Sequence, residues 1–224
     1  HESIWDASLK ELVTVGGYLL NPTEQEAMKK VMWDAECHRL PDTVALSPQD
    51  MAKAAGFSIP DDRKFLIASH GTGRYNATPD GIWCVEKLTT LLAVHKYSGE
   101  FQNAIDTIMA IHAVGGIGHS VGIFSFDESH IHRLAMVARV GRIMVRQAQS
   151  KANAGSMHNG MPMTSSIGCG TWAGNATSEN IHLHHYMNIT WVSKEYDKPD
   201  WVKDEELFGE FYDPELEKVQ YSPF

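Results

Sequence analysis

No apolar run in the 224-residue chain approaches the roughly 18 residues a membrane-spanning helix needs, and no apolar leader opens it. A membrane partner is therefore not expected. Positive charge is scarce: 19 Lys and Arg stand against 28 Asp and Glu, a net of −9, so nucleic acid is not an expected partner either. Cysteine is scarcer. Cys37, Cys84 and Cys169 are odd in number and irregular in spacing, which suits a reducing compartment better than a disulfide framework. The expected location is the cytoplasm, and glycosylation-type triplets at Asn76, Asn175 and Asn188 are read as chance. With 43% hydrophobic and 21% charged residues, the chain is neither disordered, collagen-like nor a coiled coil.

What is present has the length of one large domain with its own core. Negative charge gathers at the end: residues 194–218 carry 10 acidic and 4 basic side chains, a net of −6, leaving −3 for the 193 residues before them. The expected division is a domain over 1–193 and an acidic tail over 194–224. Helical signals come first. Ser3 with Asp6, Asn21-Pro22-Thr23 with Glu26, and Ser47-Pro48-Gln49-Asp50 each place a capping residue ahead of apolar residues at helical spacing. From residue 64 the pattern alternates. Short apolar runs at 64–68, 91–97, 120–126, 142–145 and 186–193 read as strands, with helices over 101–113 and 128–140. Strand–helix alternation predicts an α/β fold with a mostly parallel sheet and flanking helices. Between Gln147 and His182 the rhythm breaks into a long Gly-, Asn-, Ser- and Thr-rich segment holding Met157, Met161, Met163, Ile167 and Trp172, which predicts an ordered loop lining a site.

Candidate chemistry is sparse. Gly115-Gly116-Ile117-Gly118-His119-Ser120 is no dinucleotide loop, because it leaves a helix and enters a strand, the reverse of a pyrophosphate site. His119 at that turn is either an ordinary loop histidine or a site histidine at a loop mouth. His182 and His184 could share one strand face as a metal pair, but no third ligand is evident, so a polar strand edge is the plainer reading and no metal is expected. Cys169 lies between glycines that would expose it, which on local chemistry makes it the best-placed nucleophile of the three cysteines.

Longer motifs carry more. Gly168-Cys169-Gly170-Thr171-Trp172-Ala173-Gly174-Asn175-Ala176-Thr177-Ser178-Glu179-Asn180, with its approach from Asn153-Ala154-Gly155-Ser156 to Pro162, resembles the G-C-G loop of CoA-acylating aldehyde dehydrogenases. Gly115-Gly116-Ile117-Gly118-His119-Ser120 is similar to that family's G-G-x-G-H-[TS]. Glu86-Lys87-Leu88-Thr89 resembles its E-K-L-S, and the opening from Ser3-Ile4-Trp5-Asp6 to Asn21 resembles the helix after its catalytic cysteine. The four occur in the family's order over nearly the whole chain. Ala173, Ala176, Thr90 and Arg146 depart from it, standing where Gly, Ser, Pro and Asn are usual.

The resemblance implies a chemistry. A thiolate attacks an aldehyde, hydride leaves for a nicotinamide of NAD or NADP, and the enzyme thioester passes to coenzyme A. The nucleophile would lie just ahead of His1, and the nucleotide-binding domain ahead of that. Cys169 falls on the loop's structural cysteine, so the local expectation for it gives way. Glu86 matches the glutamate that binds the nicotinamide ribose, and His119 the histidine facing the thioester. Arg146, His158, Asn159, Cys169, Gly170 and Thr171 would line the substrate pocket. Arg142, Arg146, Lys151 and His158 offer cations for an anionic aldehyde, or are plain surface charge. The loop and Glu206-Leu207-Phe208-Gly209-Glu210 look most like the branch acting on sulfoacetaldehyde. The expected protein is a homo-oligomer acting on a small aldehyde. A non-catalytic module keeping the same fold, or a His-rich metal hydrolase, are the alternative readings.

Overall fold

The computed structural model describes residues 1–70, 81–195 and 202–215; Asn76 and parts of the acidic tail lie outside them. Two compact units divide the chain, His1–His185 and Tyr186–Phe224.

In the first unit, helix α1 (Trp5–Thr14) stops at Gly16, whose φ of +108° turns the chain directly into strand β1 (Gly17–Leu19). Sequence periodicity reads that glycine pair only as a helix stop. Helix α2 (Pro22–Met32) starts on a capping box, though not the expected one. Asn21 accepts from the Glu24 amide at 2.9 Å and Glu24 accepts from the Asn21 amide at 2.9 Å, while Glu26 pairs with Lys29 at 2.7 Å. Ser47 caps α3 (Pro48–Ala54) as its sequence suggests. Ser3 does not cap α1; a 3₁₀ turn, Glu2–Ile4, precedes that helix.

Strands β2 (Phe65–His70) and β3 (Leu91–His95) complete a parallel sheet of order β1-β2-β3. Leu66, Ile67 and Ala68 of β2 are wholly buried, and Leu66 and Ala68 share one core with Met28, Met32, Met51, Trp33, Ile82 and Trp83. Helix α4 (Phe101–Gly115) leads to β4 (Val121–Ile123), which pairs in parallel with β5 (Ile143–Val145) across α5 (Glu128–Val137). A second core forms there from Val121, Ile123, Leu134 and Ala138. The architecture is α/β with parallel pairing and flanking helices, built as two ladders rather than one sheet. Among the described residues no helix is long and apolar enough to cross a membrane.

The strand expected over 186–193 is not formed. Residues 183–186 make a 3₁₀ turn and 187–195 carry no regular structure, with Trp191 93% exposed. β-propensity alone does not make a strand, since a ladder also needs a partner edge. Within the second unit, α6 (Asp204–Phe208) opens on Asp204, Glu205 and Glu206, acids placed where a helix N-terminus favours them.

Burial near the ends of β2 and β3 sets an acid response. His70 and His95 are register partners with ring centroids 5.4 Å apart, and burial lowers the pKa of both, that of His95 to about 4. The unfolded chain takes up these protons near the ordinary histidine value of 6.5, whereas the folded chain resists until lower pH. Their contribution to stability is intact above about 6.5 and is lost as pH falls toward about 4. Melting temperature should fall more steeply over that window in the native protein than in His95→Gln, whose side chain does not titrate.

Candidate active site

The site is built on two glycine-permitted approaches around α4. At the helix's end, Gly115 lies so close to the 82–84 turn that a Cβ there would sit 2.6 Å from the Cys84 carbonyl. The turn following Cys84 carries Glu86 and Lys87. Lys87 folds inward and donates to the carbonyls of Trp83 at 2.6 Å and Val85 at 2.8 Å; burial lowers its pKa to about 8. With its neighbour anchored inward, Glu86 stands exposed.

Beyond α4 the chain turns through Gly116 and Gly118 to His119. Gly118 has φ +106°, donates to the Arg139 carbonyl at 2.9 Å and accepts from the Gly141 amide at 2.6 Å. A Cβ on Gly118 would lie 1.9 Å from the Cys169 carbonyl oxygen, so the 168–170 loop rests directly on this turn. Gly155, at φ +77°, comes as close to the Pro162 carbonyl, 2.1 Å from the same construction. Both approaches exclude any side chain.

Arg142, only 4% exposed, ties these pieces together. Its Nε donates to Asn180 Oδ1 at 2.8 Å, and its Nη1 to the carbonyls of Gly168 at 3.1 Å and His119 at 3.5 Å. Asn180, 3% exposed, donates in turn to the carbonyls of Asn153 at 3.0 Å and Pro162 at 2.9 Å. Burial depresses the guanidinium's pKa, and the nearby Cys169 thiol partly offsets it. One buried cation and one amide therefore fix the turn, both ends of the loop and its middle. Arg142 was expected among the cations for substrate; its place is inside the scaffold.

His119 is exposed, and its neighbours decide which ring nitrogen holds hydrogen. Ser120 Oγ accepts from Gln149 Nε2 at 3.0 Å and from Asn153 Nδ2 at 3.0 Å. Its own hydrogen is left to donate to His119 Nδ1 at 2.9 Å. With Nδ1 accepting, the neutral ring carries its proton on Nε2 and presents a donor there. Sequence reading singled out His119 but not Ser120, Gln149 or Asn153; the last two belong to a polar loop whose amides carry no local mark of a distant partner.

The remaining expected residues divide. Cys169 and Thr171 are exposed, and Gly170, at φ +73°, is held by the Ser178 hydroxyl, which bonds the Thr171 amide and hydroxyl at 2.9 Å each. Asn159 spends its amide inside the loop, accepting from Ser156 and Met161 amides and donating to Gln147 and the Ala152 carbonyl. Asn159 is thus a loop-positioning residue. His158 is exposed.

Arg146 follows β5 with φ +52°, a left-handed conformation that strains most side chains but suits Asn. Its guanidinium donates to the Ser125 carbonyl at 2.6 Å and lies 5.0 Å over the Phe126 ring. Arg146→Asn should raise stability by ~0.5–1 kcal/mol, read from the denaturant midpoint, because it relieves backbone strain at the cost of two exposed contacts.

No protein-family profile matches the chain. Curated proteins do. It is 37% identical over 215 residues to a sulfoacetaldehyde dehydrogenase of an Acholeplasma species, covering 94% of this chain and 43% of that one. To the acylating sulfoacetaldehyde dehydrogenase of Bilophila wadsworthia it is 34% identical, covering 94% and 45%. Among solved structures, the acetylating aldehyde dehydrogenase of Geobacillus thermoglucosidasius superposes with a TM-score of 0.75 at 28% identity, covering 88% of this chain and 43% of that one. The chain spans under half the length of the curated relatives it matches. Over the stretch it spans, the chain is similar in sequence and in fold to part of the acylating aldehyde dehydrogenases.

Proposed function

We propose that the protein containing these 224 residues oxidises a short, anionic aldehyde of the sulfoacetaldehyde type to its acyl-CoA, using NAD or NADP as hydride acceptor. The observation that carries this reading is the 37% identity, over 94% of the chain, to a sulfoacetaldehyde dehydrogenase. A bound nicotinamide nucleotide would supply hydride acceptance. Glu86 fits its ribose, since an exposed carboxylate on a pinned turn can accept from a pair of sugar hydroxyls.

His119 is the catalytic residue of this stretch. Its Nε2–H is the donor suited to a thioester carbonyl oxygen. Ser120, Gln149 and Asn153 are positioning residues that hold that tautomer. The nucleophile is a cysteine outside these residues. Cys169 serves the loop, whose carbonyl at that residue rests on Gly118. Gly170 and Thr171 shape the pocket wall, with Asn159 bracing it from within the loop. Because Arg142 is committed to the scaffold, Arg146, Lys151 and His158, all exposed, are the cations left for a sulfonate. Three free cysteines fit a reducing, cytoplasmic setting, and the exposed Met187, Ile189, Trp191 and Val192 fit a homo-oligomer.

The full-length protein, supplied with CoA, nucleotide and aldehyde, tests this reading. Reduced nucleotide should form only with CoA present in turnover, acyl-CoA should be found by mass, and kcat/KM for sulfoacetaldehyde should exceed that for propionaldehyde by about tenfold or more. CoA-independent turnover, or preference for the uncharged aldehyde, would overturn it.

A further inference from the structure

Four donors converge just beyond Asn180. The sequence suggested a strand with two histidines on one face and no third ligand; the chain instead forms a 3₁₀ turn, Leu183–Tyr186. Three residues per turn bring His182 and His185 to one side of it, with His184 beside them. Glu179 reaches the same point from the loop. His184 Nδ1 lies 2.8 Å from His182 Nε2, and Glu179 Oε2 lies 3.5 Å from Nε2 of both His184 and His185. One ligand atom from each of the four residues falls within 4.8 Å of all the others.

We propose that Glu179, His182, His184 and His185 bind a divalent transition metal of the zinc class. A tetrahedral ion with metal–nitrogen bonds of about 2.0–2.1 Å needs donor atoms about 3.3 Å apart, close to the 3.5 Å from Glu179 Oε2 to Nε2 of both His184 and His185 and within reach of a set whose ligand atoms all lie within 4.8 Å of one another. The three ring centroids lie 3.8–5.1 Å apart, gathered around one carboxylate. Three imidazoles and a carboxylate, without thiolate, select zinc-, cobalt- or nickel-type ions over calcium and magnesium, which demand oxygen shells. The 3.2 Å contact from the His182 amide to His185 Nδ1 opens when His185 ligates through Nε2, because a neutral ring has one lone pair. Four protein donors leave no open coordination position. The site is therefore structural: it closes the end of the loop that Asn180 ties to Arg142.

The probe is Co²⁺, titrated into EDTA-stripped full-length protein. One equivalent per chain should give the visible d–d bands of a four-coordinate ion, with no thiolate charge-transfer band, and Zn²⁺ should displace it. Glu179 and His184 are exposed, so Glu179→Gln and His184→Gln should keep the metal-free melting temperature while weakening Co²⁺ binding roughly 100-fold or more. Native affinity in both variants would overturn the proposal, since it would place the ion elsewhere, as at the Asp34, Glu36 and His38 group. Absence of saturable binding, or a thiolate band, would overturn it equally.

Discussion

His119→Ala in the full-length protein should cut CoA-dependent turnover by about 10²–10³-fold, the range a single donor to a developing oxyanion supplies. Stability should scarcely change. The ring is exposed and its side-chain bond runs to the neighbouring Ser120 hydroxyl, so little packing is lost with it. Ser120→Ala should act in the same direction but less, by roughly tenfold, because it frees the ring to take the other tautomer without removing it. Comparing KM with kcat separates the roles: a group used in the reacting state lowers kcat, whereas a wall residue raises KM. Unchanged kinetics in His119→Ala would remove the residue from the site.

Gly118→Ala should be the most damaging single methyl in the described chain. The new Cβ would meet the Cys169 carbonyl at 1.9 Å, and that neighbour is backbone, not a side chain that can swing away. The turn cannot retreat either, since Gly118 is bonded to Arg139 on one side and Gly141 on the other. Opening the gap would also break the bonds from Arg142 to the Gly168 and His119 carbonyls. A loss of ~3–5 kcal/mol is expected, measured by denaturant unfolding. Gly174→Ala provides the control. It has φ +80° but nothing within 4 Å of the added Cβ, so it should cost only the left-handed penalty of ~1–2 kcal/mol. Equal costs at the two positions would mean that the loop does not rest on the turn.

These two glycines mark how far sequence reading reaches. Helices α2 to α5 were legible because caps and apolar spacing are local, and β2 to β5 because short apolar runs between turn residues leave few other choices. β1 was hidden by Gly16, whose single residue both ends a helix and starts a strand. The run at 186–193 misled for the opposite reason: its β-propensity is real, but a strand needs an edge, and propensity does not say whether one exists. The site followed the same division. His119 and Glu86 were legible through motifs of consecutive residues. Arg142, Asn180 and Asn153 were not, because their partners lie 18 to 38 residues away and nothing next to them in sequence distinguishes a buried clamp from a surface charge or a turn amide. Arg146 shows the benefit of combining both: a departure from the usual Asn becomes intelligible once its φ of +52° is known.

In the proposed function these residues bind, orient and assist while a cysteine outside them carries the acyl group. Peptide mass spectrometry of the full-length protein, mixed with aldehyde and nucleotide but no CoA and quenched in acid, addresses it directly. The acyl adduct should sit on one cysteine outside the 224 residues and vanish when CoA is added before the quench. An adduct on Cys37, Cys84 or Cys169, with Cys169 the most accessible of the three, would contradict the account.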